Sequence, residues 1–221
     1  MIVVVDYHMG NLKSVERGLC AVGADAQISA ELAVIDAAEA IVLPGVGAFA
    51  DASKNMQAQG QLSLIRKKIA AGVPFLGICL GMHLMFEEGI EGSNFEDEEV
   101  ENPVGLAVLP GVVKALPSSD KRGAKYKVPH IGWNSIEFDA NSDQGQSALL
   151  QGITSGEYFY FTHSFVVPDT PCTLAYTNHS ITFPSIVSYK ERAFGVQFHP
   201  EKSSDAGAAV LRNFLTIVKG S

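Results

Sequence analysis

The sequence predicts an α/β fold, a doubly wound and mostly parallel sheet flanked by helices. Three runs of strand length, at residues 2–5, 40–43 and 73–76, are continuously apolar, as strands buried on both faces of a sheet are. Segments of helical periodicity separate these runs. Such alternation is typical of right-handed β-α-β crossovers, and ligands of these sheets bind beyond the carboxyl ends of the strands.

The first half of the chain supplies the parallel part of this sheet. A loop at residues 6–11 follows the first strand, Asn11 is expected to cap the next helix, and Gly23 is expected to end that helix. The further elements predicted in this half are strands at 25–28, 40–43 and 73–78 and helices at 31–38, 49–58, 62–71 and from Leu80 to about Glu88. The loops at 6–11 and 44–47 and the residue Cys79 should therefore share one crevice.

The second half has the pattern of short, antiparallel strands that extend one edge of the sheet. An acidic segment at 91–101 is expected to be a solvated loop. Strands are predicted at 111–116, 126–138, 158–167 and 173–176, a hairpin at 186–189 and 193–198, and a last helix from about Asp205 to Val218, capped by Ser203 or Ser204. No repeat or linker is evident, so one domain over residues 1–221 is predicted.

Composition excludes several classes of protein. The 221 residues carry a formal net charge of −8, which disfavours a nucleic-acid-binding surface. No run approaches the about 18 apolar residues of a membrane span, and the N-terminus lacks a signal-peptide pattern. The three cysteines have no close pair, which disfavours a disulfide framework or a zinc site and suits a reducing compartment. We expect a cytoplasmic protein without metal or membrane attachment.

One stretch, residues 73–83, has the pattern of a nucleophile elbow. An apolar strand runs into Gly77-x-Cys79-x-Gly81, and helical spacing resumes beyond it. The flanking glycines suit a turn that leaves no room for a Cβ. A helix N-terminus at the turn would favour a thiolate over a thiol. The alternative is an inert, buried core cysteine.

A cysteine nucleophile needs a base, and the base needs an orienting group. Of the six histidines, His199 has the best context, because it follows an apolar strand and precedes Pro200 and Glu201. In extended backbone residues i and i+2 point to one face, so Glu201 can hold the ring of His199 while its other nitrogen faces the sulfur. His83, four residues after Cys79, could also approach the sulfur, but no carboxylate lies beside it.

These two motifs, Gly77–Gly81 and Gly195–Glu201, resemble the class I, triad-type glutamine amidotransferases. The stretches at 6–12, 43–49, 129–134 and 199–203 further resemble the glutaminase subunits of imidazole glycerol phosphate synthases, the histidine-pathway enzymes. The resemblance runs from residue 2 to the last helix. It implies that Cys79 attacks the carboxamide of glutamine, that His199 and Glu201 complete a catalytic triad, and that ammonia and glutamate are released.

The resemblance also assigns the rest of the site. The oxyanion would be held by the backbone N–H of Leu80 and by that of Val46 or Gly47. The amino-acid end of glutamine would lie against His83 and a strand formed by Thr162, His163 and Ser164. Two residues depart from the family pattern: His83 stands where glutamine is usual, and His8 stands where the first loop commonly has glycine.

A partner is implied as well. The family delivers its ammonia to a cyclase subunit with a (β/α)₈ barrel, which forms a heterodimer with the glutaminase. The resemblance places this partner on the side of Asn11, Trp133 and Lys202. No cofactor is implied.

Four alternative interpretations remain open at this level. Gly45-x-Gly47-x-x-Ala50 fits a dinucleotide fingerprint formally, but Pro44 precedes it and no acidic residue lies at 65–70 to hold a ribose. The chain could also be the glutaminase subunit of another amidotransferase, or an elbow-cysteine γ-glutamyl hydrolase or protease. A binding module that has lost catalysis would not require Cys79, His199 and Glu201 together.

Overall fold

The computed structural model describes residues 1–92 and 102–220. Its strands are β1 (Ile2–Val5), β2 (Ala26–Ser29), β3 (Ala40–Gly45), β4 (Phe75–Cys79), β5 (Phe86–Gly89), β6 (Leu109–Ala115), β7 (His130–Ser135), β8 (Tyr158–His163), β9 (Phe165–Val166), β10 (Thr173–Asn178), β11 (Thr182–Tyr189) and β12 (Ala193–Val196). Its α-helices are α1 (Leu12–Ala21), α2 (Leu32–Asp36), α3 (Phe49–Ala58), α4 (Gln61–Ala70), α5 (Leu80–His83) and α6 (Ser204–Lys219), with 3₁₀ turns at Ala148–Leu150 and Pro200–Lys202.

The central sheet has the strand order β10-β11-β12-β4-β3-β1-β2. Strands β2, β1, β3, β4 and β12 run parallel, and β11 and β10 continue the sheet in antiparallel fashion. This confirms the predicted fold class, including the antiparallel extension at one edge. Two smaller sheets, β5-β6-β9 and β7-β8, carry the other short strands.

The sheet is buried on both faces, as the continuous apolar runs predict. In β1, Ile2 and Val4 belong to one hydrophobic cluster, whereas Val3 and Val5 belong to a second cluster on the opposite face. Helices α1 and α6 supply the first cluster with Leu19 and Phe214, among others. The hydrophobic core therefore lies in two layers, one on each face of the sheet, and packing against both layers sets the position of the strand ends.

The helix ends follow the predicted chemistry in part. The Asn11 side chain accepts from the Ser14 N–H at 3.4 Å, and Gly23 has a φ of +89° after α1. Ser203 is the N-cap residue of α6, but its hydroxyl donates to the His199 carbonyl at 2.7 Å and makes no cap hydrogen bond. Ser203 therefore ties the start of α6 to the segment that carries the proposed base.

Some predicted boundaries are wrong. The helix expected from Leu80 to about Glu88 is a single turn, and Phe86–Gly89 forms β5, in which Phe86 and Gly89 are buried and pair with β6. The runs at 126–138 and 158–167 are not single strands: only β7 forms within the first, and the second is divided into β8 and β9 at Ser164. Residues 93–101 of the predicted acidic loop lie outside the described residues.

Candidate active site

Cys79 lies at the elbow between β4 and α5 with a φ of 52° and a ψ of −105°. A positive φ is strained for a residue with a Cβ, and such strain is held only where the surroundings enforce it. Here they do, because a Cβ on Gly81 would lie 1.7 Å from the Leu43 carbonyl oxygen and one on Gly77 would lie 2.4 Å from the Gly81 oxygen. The two glycines thus let the turn pack against β3, as the motif predicts.

The sheet brings His199 to the same edge. β12 and β4 are parallel neighbours in which Val196 pairs with Ile78, so the residues that follow the two strands meet. His199 Nδ1 lies 2.9 Å from Glu201 Oε1, and the two side chains are 4% and 2% exposed. His199 Nε2 is buried without a hydrogen-bond partner that meets normal criteria within the described residues. That nitrogen is available to the sulfur of Cys79.

The electrostatics of His199 fit a base beside a sulfur. Burial by itself lowers the pKa of His199, but the interactions of the ring with Cys79 and with Glu201 outweigh burial and raise the pKa to about 9. The imidazolium form is therefore favoured while Cys79 is a thiolate and Glu201 is ionised.

The sulfur has two further polar neighbours. Cys79 Sγ lies 3.8 Å from the Thr162 carbonyl oxygen and 3.7 Å from Gln197 Nε2. His83 does not reach the sulfur as a base, since its Nε2 lies 2.8 Å from Gln197 Oε1. Burial lowers the pKa of His83 to about 4, although the Gln197 contact opposes this, so the ring is neutral at physiological pH.

A cavity of about 230 Å³ opens above Cys79. Eight of its lining residues are those predicted to face glutamine: the nucleophile, the oxyanion site and the substrate-binding residues. Three further lining residues are not singled out by the sequence. Its lining residues are Val46, Gly47, Cys79, Leu80, His83, Glu91, Pro129, Thr162, His163, Ser164 and Phe165.

The residues predicted to donate to the oxyanion have suitable backbone conformations. Leu80 is the first residue of α5, where the N–H has no acceptor within the helix. Gly47 has a φ of +107°, and a Cβ there would lie 2.3 Å from Met9 Cε. Over Gly45 the space is filled by the Tyr7 hydroxyl, which a Cβ would meet at 2.0 Å, so this loop has no room for a pyrophosphate at that glycine.

His163 lines the cavity with both ring nitrogens engaged. Nδ1 donates to the Phe165 carbonyl at 2.9 Å, so Nε2 accepts from His130 Nδ1 at 3.0 Å. His130 Nε2 in turn faces Asn134 Nδ2 at 3.2 Å. Burial lowers the pKa of His163 to about 3 and that of His130 to about 4. The hydrogen bond between the two neutral rings thus links β7 to β8. His163 lines the cavity, but neither of its ring nitrogens is free to bind a substrate.

Glu91 is a site residue that sequence analysis missed, because it opens a segment interpreted as a solvated loop. Its carbonyl accepts from the Ala50 N–H at 3.0 Å, which holds it at the start of α3. Burial raises the pKa of its carboxyl to about 6, partly offset by a hydrogen bond from the Phe49 backbone. Its place beside the elbow cavity is a property that its sequence context does not reveal.

The residues predicted to face a partner lie together at the surface. Lys202 Nζ lies 5.9 Å from the centre of the Tyr160 ring, and the Trp133 ring centre lies 6.2 Å from the same ring. Asn11 and Lys202 border one small depression that also touches His199 and Glu201. Trp133 is 51% exposed and so is not a core anchor.

Comparison with known proteins identifies the family. The family model described as class-I glutamine amidotransferase matches residues 3–218. The chain belongs to the class I glutamine amidotransferases. The HisH subunit of imidazole glycerol phosphate synthase from Caldanaerobacter subterraneus subsp. tengcongensis is 40% identical to this amidotransferase over 221 residues, 99% of each chain. The HisH subunit from Syntrophotalea carbinolica is 41% identical over 217 residues, 97% of this chain and 98% of the relative.

Solved structures agree on the fold of this amidotransferase. A crystal structure described as a glutamine amidotransferase has a TM-score of 0.72 and 19% identity, covering 99% of this chain and all 100% of the other. The glutaminase domain of a Trypanosoma brucei CTPS with bound acivicin has a TM-score of 0.59 and 16% identity, covering 100% and 94%. Across residues 1–92 and 102–220, no helix is long and apolar enough to cross a bilayer, and no group of three His, Cys, Asp or Glu is arranged for a metal.

Proposed function

We propose that this amidotransferase is the glutaminase subunit of an imidazole glycerol phosphate synthase. It hydrolyses glutamine at Cys79 and passes the ammonia to a cyclase subunit with a (β/α)₈ barrel in the cytoplasm. The observation that carries the proposal is the buried His199–Glu201 pair, whose free ring nitrogen faces an elbow cysteine in a cavity of about 230 Å³. All three cysteines are free, in keeping with a reducing compartment.

In the first half-reaction, the Cys79 thiolate adds to the side-chain carboxamide carbon of glutamine. The carbonyl oxygen becomes an oxyanion, stabilised by the N–H of Leu80 and by that of Val46 or Gly47; one such donor is worth roughly 3–4 kcal/mol. His199, held protonated by Cys79 and Glu201, gives its proton to the leaving nitrogen. The C–N bond breaks, ammonia departs, and a γ-glutamyl thioester remains on Cys79.

In the second half-reaction, His199 is a neutral base. It takes a proton from water as the oxygen attacks the thioester carbon, and the same N–H groups stabilise the second oxyanion. The C–S bond then breaks, so that glutamate leaves and Cys79 returns to the thiolate with His199 protonated. Glu201 keeps Nδ1 protonated throughout, since it accepts from that nitrogen at 2.9 Å.

Two of the residues that line the cavity, Glu91 and His83, suit an α-amino acid. The Glu91 carboxylate can pair with the α-ammonium of glutamine, and that pairing would lower its raised pKa again. With its Nε2–H directed at Gln197, His83 has a buried Nδ1 without a partner within the described residues, so it can accept but not donate. Both features favour a cationic amino group over a neutral acyl chain at this end.

The proposed partner surface is the outer face of the β7–β8 ribbon. Ile131, Trp133 and Tyr158 are 62%, 51% and 57% exposed, an unusual concentration of large apolar side chains. The ribbon also contains Thr162, whose carbonyl contacts the sulfur. A partner docked on this face would therefore be separated from the active site only by strand β8. Lys202 lies beside the same surface, one residue beyond Glu201.

Substrate preference tests this proposal. Hydrolysis is measured as glutamate release from glutamine and from a γ-glutamyl dipeptide, and as aspartate release from asparagine, each in the presence of the cyclase subunit. We expect glutamine to be strongly preferred, because the leaving group of the dipeptide is larger than ammonia and the side chain of asparagine is one methylene too short. Faster release from the γ-glutamyl dipeptide would favour the elbow-cysteine hydrolase instead and overturn the proposal.

A further inference from the structure

The side chain of Gln197 is placed between Cys79 and His83, and no step above uses it. It is fully buried, with 0% exposure. Its Nε2 donates to Cys79 Sγ at 3.7 Å, while its Oε1 accepts from His83 Nε2 at 2.8 Å. The three side chains therefore form a line of hydrogen bonds that ends at the proposed nucleophile.

The orientation of this amide matters, since its two ends have opposite effects on the sulfur. With Nε2 inward, an N–H points at the sulfur and favours a thiolate; with Oε1 inward, a lone pair would face the negative charge. A neutral His83 carries one ring proton. Its Nδ1 is buried without a partner among the described residues, where a proton would be an unsatisfied donor, so the proton lies on Nε2, which faces Gln197. A donated Nε2–H fixes Oε1 on the side of His83, and so it fixes the N–H on the side of Cys79.

The sulfur has need of such a donor. The Thr162 carbonyl at 3.8 Å can accept from a thiol but repels a thiolate. Helix α5 is only four residues long, so it offers little of the macrodipole that a longer helix would supply. Among the described titratable groups, His199 and Tyr7 interact electrostatically with the sulfur, and His83, His163 and Glu91 line the same cavity.

We propose that Gln197 is a further catalytic residue that donates a hydrogen bond to the Cys79 thiolate, and that His83 is a positioning residue that holds the Gln197 amide in this orientation. The proposal rests on the proposed role of Cys79 as nucleophile. It also explains why a histidine can stand at position 83, where the family pattern has glutamine. A glutamine there, as the family pattern has it, carries an N–H that can donate to Gln197 as the histidine does.

The test is the pH profile of Cys79 alkylation by iodoacetamide in the full-length chain, with mass spectrometry separating Cys79 from Cys20 and Cys172. Only the thiolate reacts, so the midpoint of the profile reports the sulfur itself, whether or not glutamine is hydrolysed. In Gln197→Leu and His83→Leu, we expect the midpoint to rise by about one pH unit, a tenfold loss of thiolate at a fixed lower pH. In His83→Gln, the midpoint should stay close to that of the wild type.

Two comparisons separate this effect from mere disturbance of the core. Ser185→Ala is the matched control, because Ser185 is buried, its carbonyl accepts from the Gln197 N–H at 2.9 Å, and its hydroxyl has no partner within the described residues. It should leave the midpoint unchanged. The double variant His83→Leu/Gln197→Leu should shift no further than Gln197→Leu alone, because both changes remove one hydrogen bond.

An unchanged midpoint in Gln197→Leu, or equal shifts in His83→Leu and His83→Gln, would overturn the proposal. If Gln197→Leu fails to fold, Gln197→Met decides the same point with a flexible side chain of similar length. A wild-type chain that shows the predicted profile but releases no glutamate would instead contradict the proposed function and leave this inference standing.

Discussion

At the residue scale, the geometry of Cys79 distinguishes it from the other two cysteines. Its φ of 52° turns the side chain away from the strand and toward the cavity, although the residue as a whole is only 5% exposed. Cys20 is exposed and Cys172 is partly buried, and neither borders this cavity. Exposure alone therefore does not identify the nucleophile.

We predict that Cys79→Ala abolishes glutamine hydrolysis, by at least about 10⁴-fold, while the chain remains folded. The glutamine analogue diazo-oxo-norleucine should alkylate Cys79 in the wild type and leave Cys20 and Cys172 unmodified. Peptide mass spectrometry checks the label, and circular dichroism checks the fold of the variant. A label on Cys20 would show that the nucleophile is misassigned.

The two histidines near the elbow should behave differently. His199→Ala removes the group paired with Glu201 at 2.9 Å and should lower kcat by roughly 10²–10⁴. His83→Gln keeps a donor toward Gln197 and changes the cavity wall, so it should act mainly on the KM for glutamine. Steady-state kinetics of glutamate release measure both, and an equal loss of kcat in the two variants is the result that would refute the assignment of the base.

Sequence predicts these residues to different extents. Cys79, His199 and Glu201 follow from local spacing, since a turn between glycines and an i, i+2 pair leave few geometries open. Gln197 and Glu91 do not, because their contacts join segments distant in the chain: Gln197 meets His83 across 114 positions, and Glu91 faces the elbow from the start of α3. Such contacts depend on the register of neighbouring strands.

At the element scale, the site depends on close packing of the elbow against β3. Gly81→Ala should destabilise the chain by about 3 kcal/mol or more, since a Cβ would lie 1.7 Å from the Leu43 carbonyl oxygen. Neither the Cβ nor this backbone oxygen can move aside by a side-chain rotation. Gly23→Ala is the matched control. It has a φ of +89° and open space around its Cα, so only backbone strain of about 1–2 kcal/mol is expected.

Urea unfolding of the two variants and the wild type measures these differences. A Gly81→Ala variant as stable as Gly23→Ala would mean that the elbow can move away from β3, contrary to the close approach described here.

The elements that sequence analysis misjudged share one physical cause. Residues 80–88 have helical apolar spacing, yet Phe86–Gly89 is a strand because its backbone pairs with β6, a partner that lies about twenty positions further along the chain. Likewise, only β7 forms within the run at 126–138, where it pairs with β8. By contrast, the parallel strands β1, β3 and β4 are buried on both faces, so their composition alone predicts them.

At the scale of the whole molecule, several buried groups couple stability to pH. The pKa of His199 is raised to about 9, so its stabilisation is complete below its usual value of 6.5 and is lost as the pH rises toward 9. The pKa values of His83, His130 and His163 are lowered to about 4, 4 and 3, so the unfolded chain binds protons first as the pH falls below 6.5. Stability is therefore lost in both directions.

We predict that the free energy of unfolding is greatest near pH 6.5 and declines toward pH 4 and toward pH 9. The pKa of Glu91 is raised from 4.5 to about 6, so this one carboxyl increases the stability as the pH falls between those two values. The three histidines outweigh it, and the stability still declines on the acid side. Urea titrations across this range measure the profile. The acid limb should become shallower in His83→Gln, and a monotonic rise of stability to pH 9 would contradict this account.

At the scale of the whole molecule, the predicted triad lies beside one surface. Asn11 and Lys202 border the depression behind His199, and Trp133 and Ile131 extend an apolar face along β7. The single domain predicted over residues 1–221 stays a prediction, as does the cyclase partner. An amidotransferase that hydrolysed glutamine without its acceptor would waste it, so this surface is where control by a partner is expected.

The most direct measurement is steady-state glutamate release by the wild-type chain, alone and with the cyclase subunit and its nucleotide-like substrate, with Cys79→Ala as the blank. We predict weak release from the chain alone and a rise of roughly 5–150-fold in the complex, as for a coupling free energy of about 1–3 kcal/mol. Equal rates in both conditions would contradict the account and make this chain a free-standing glutaminase.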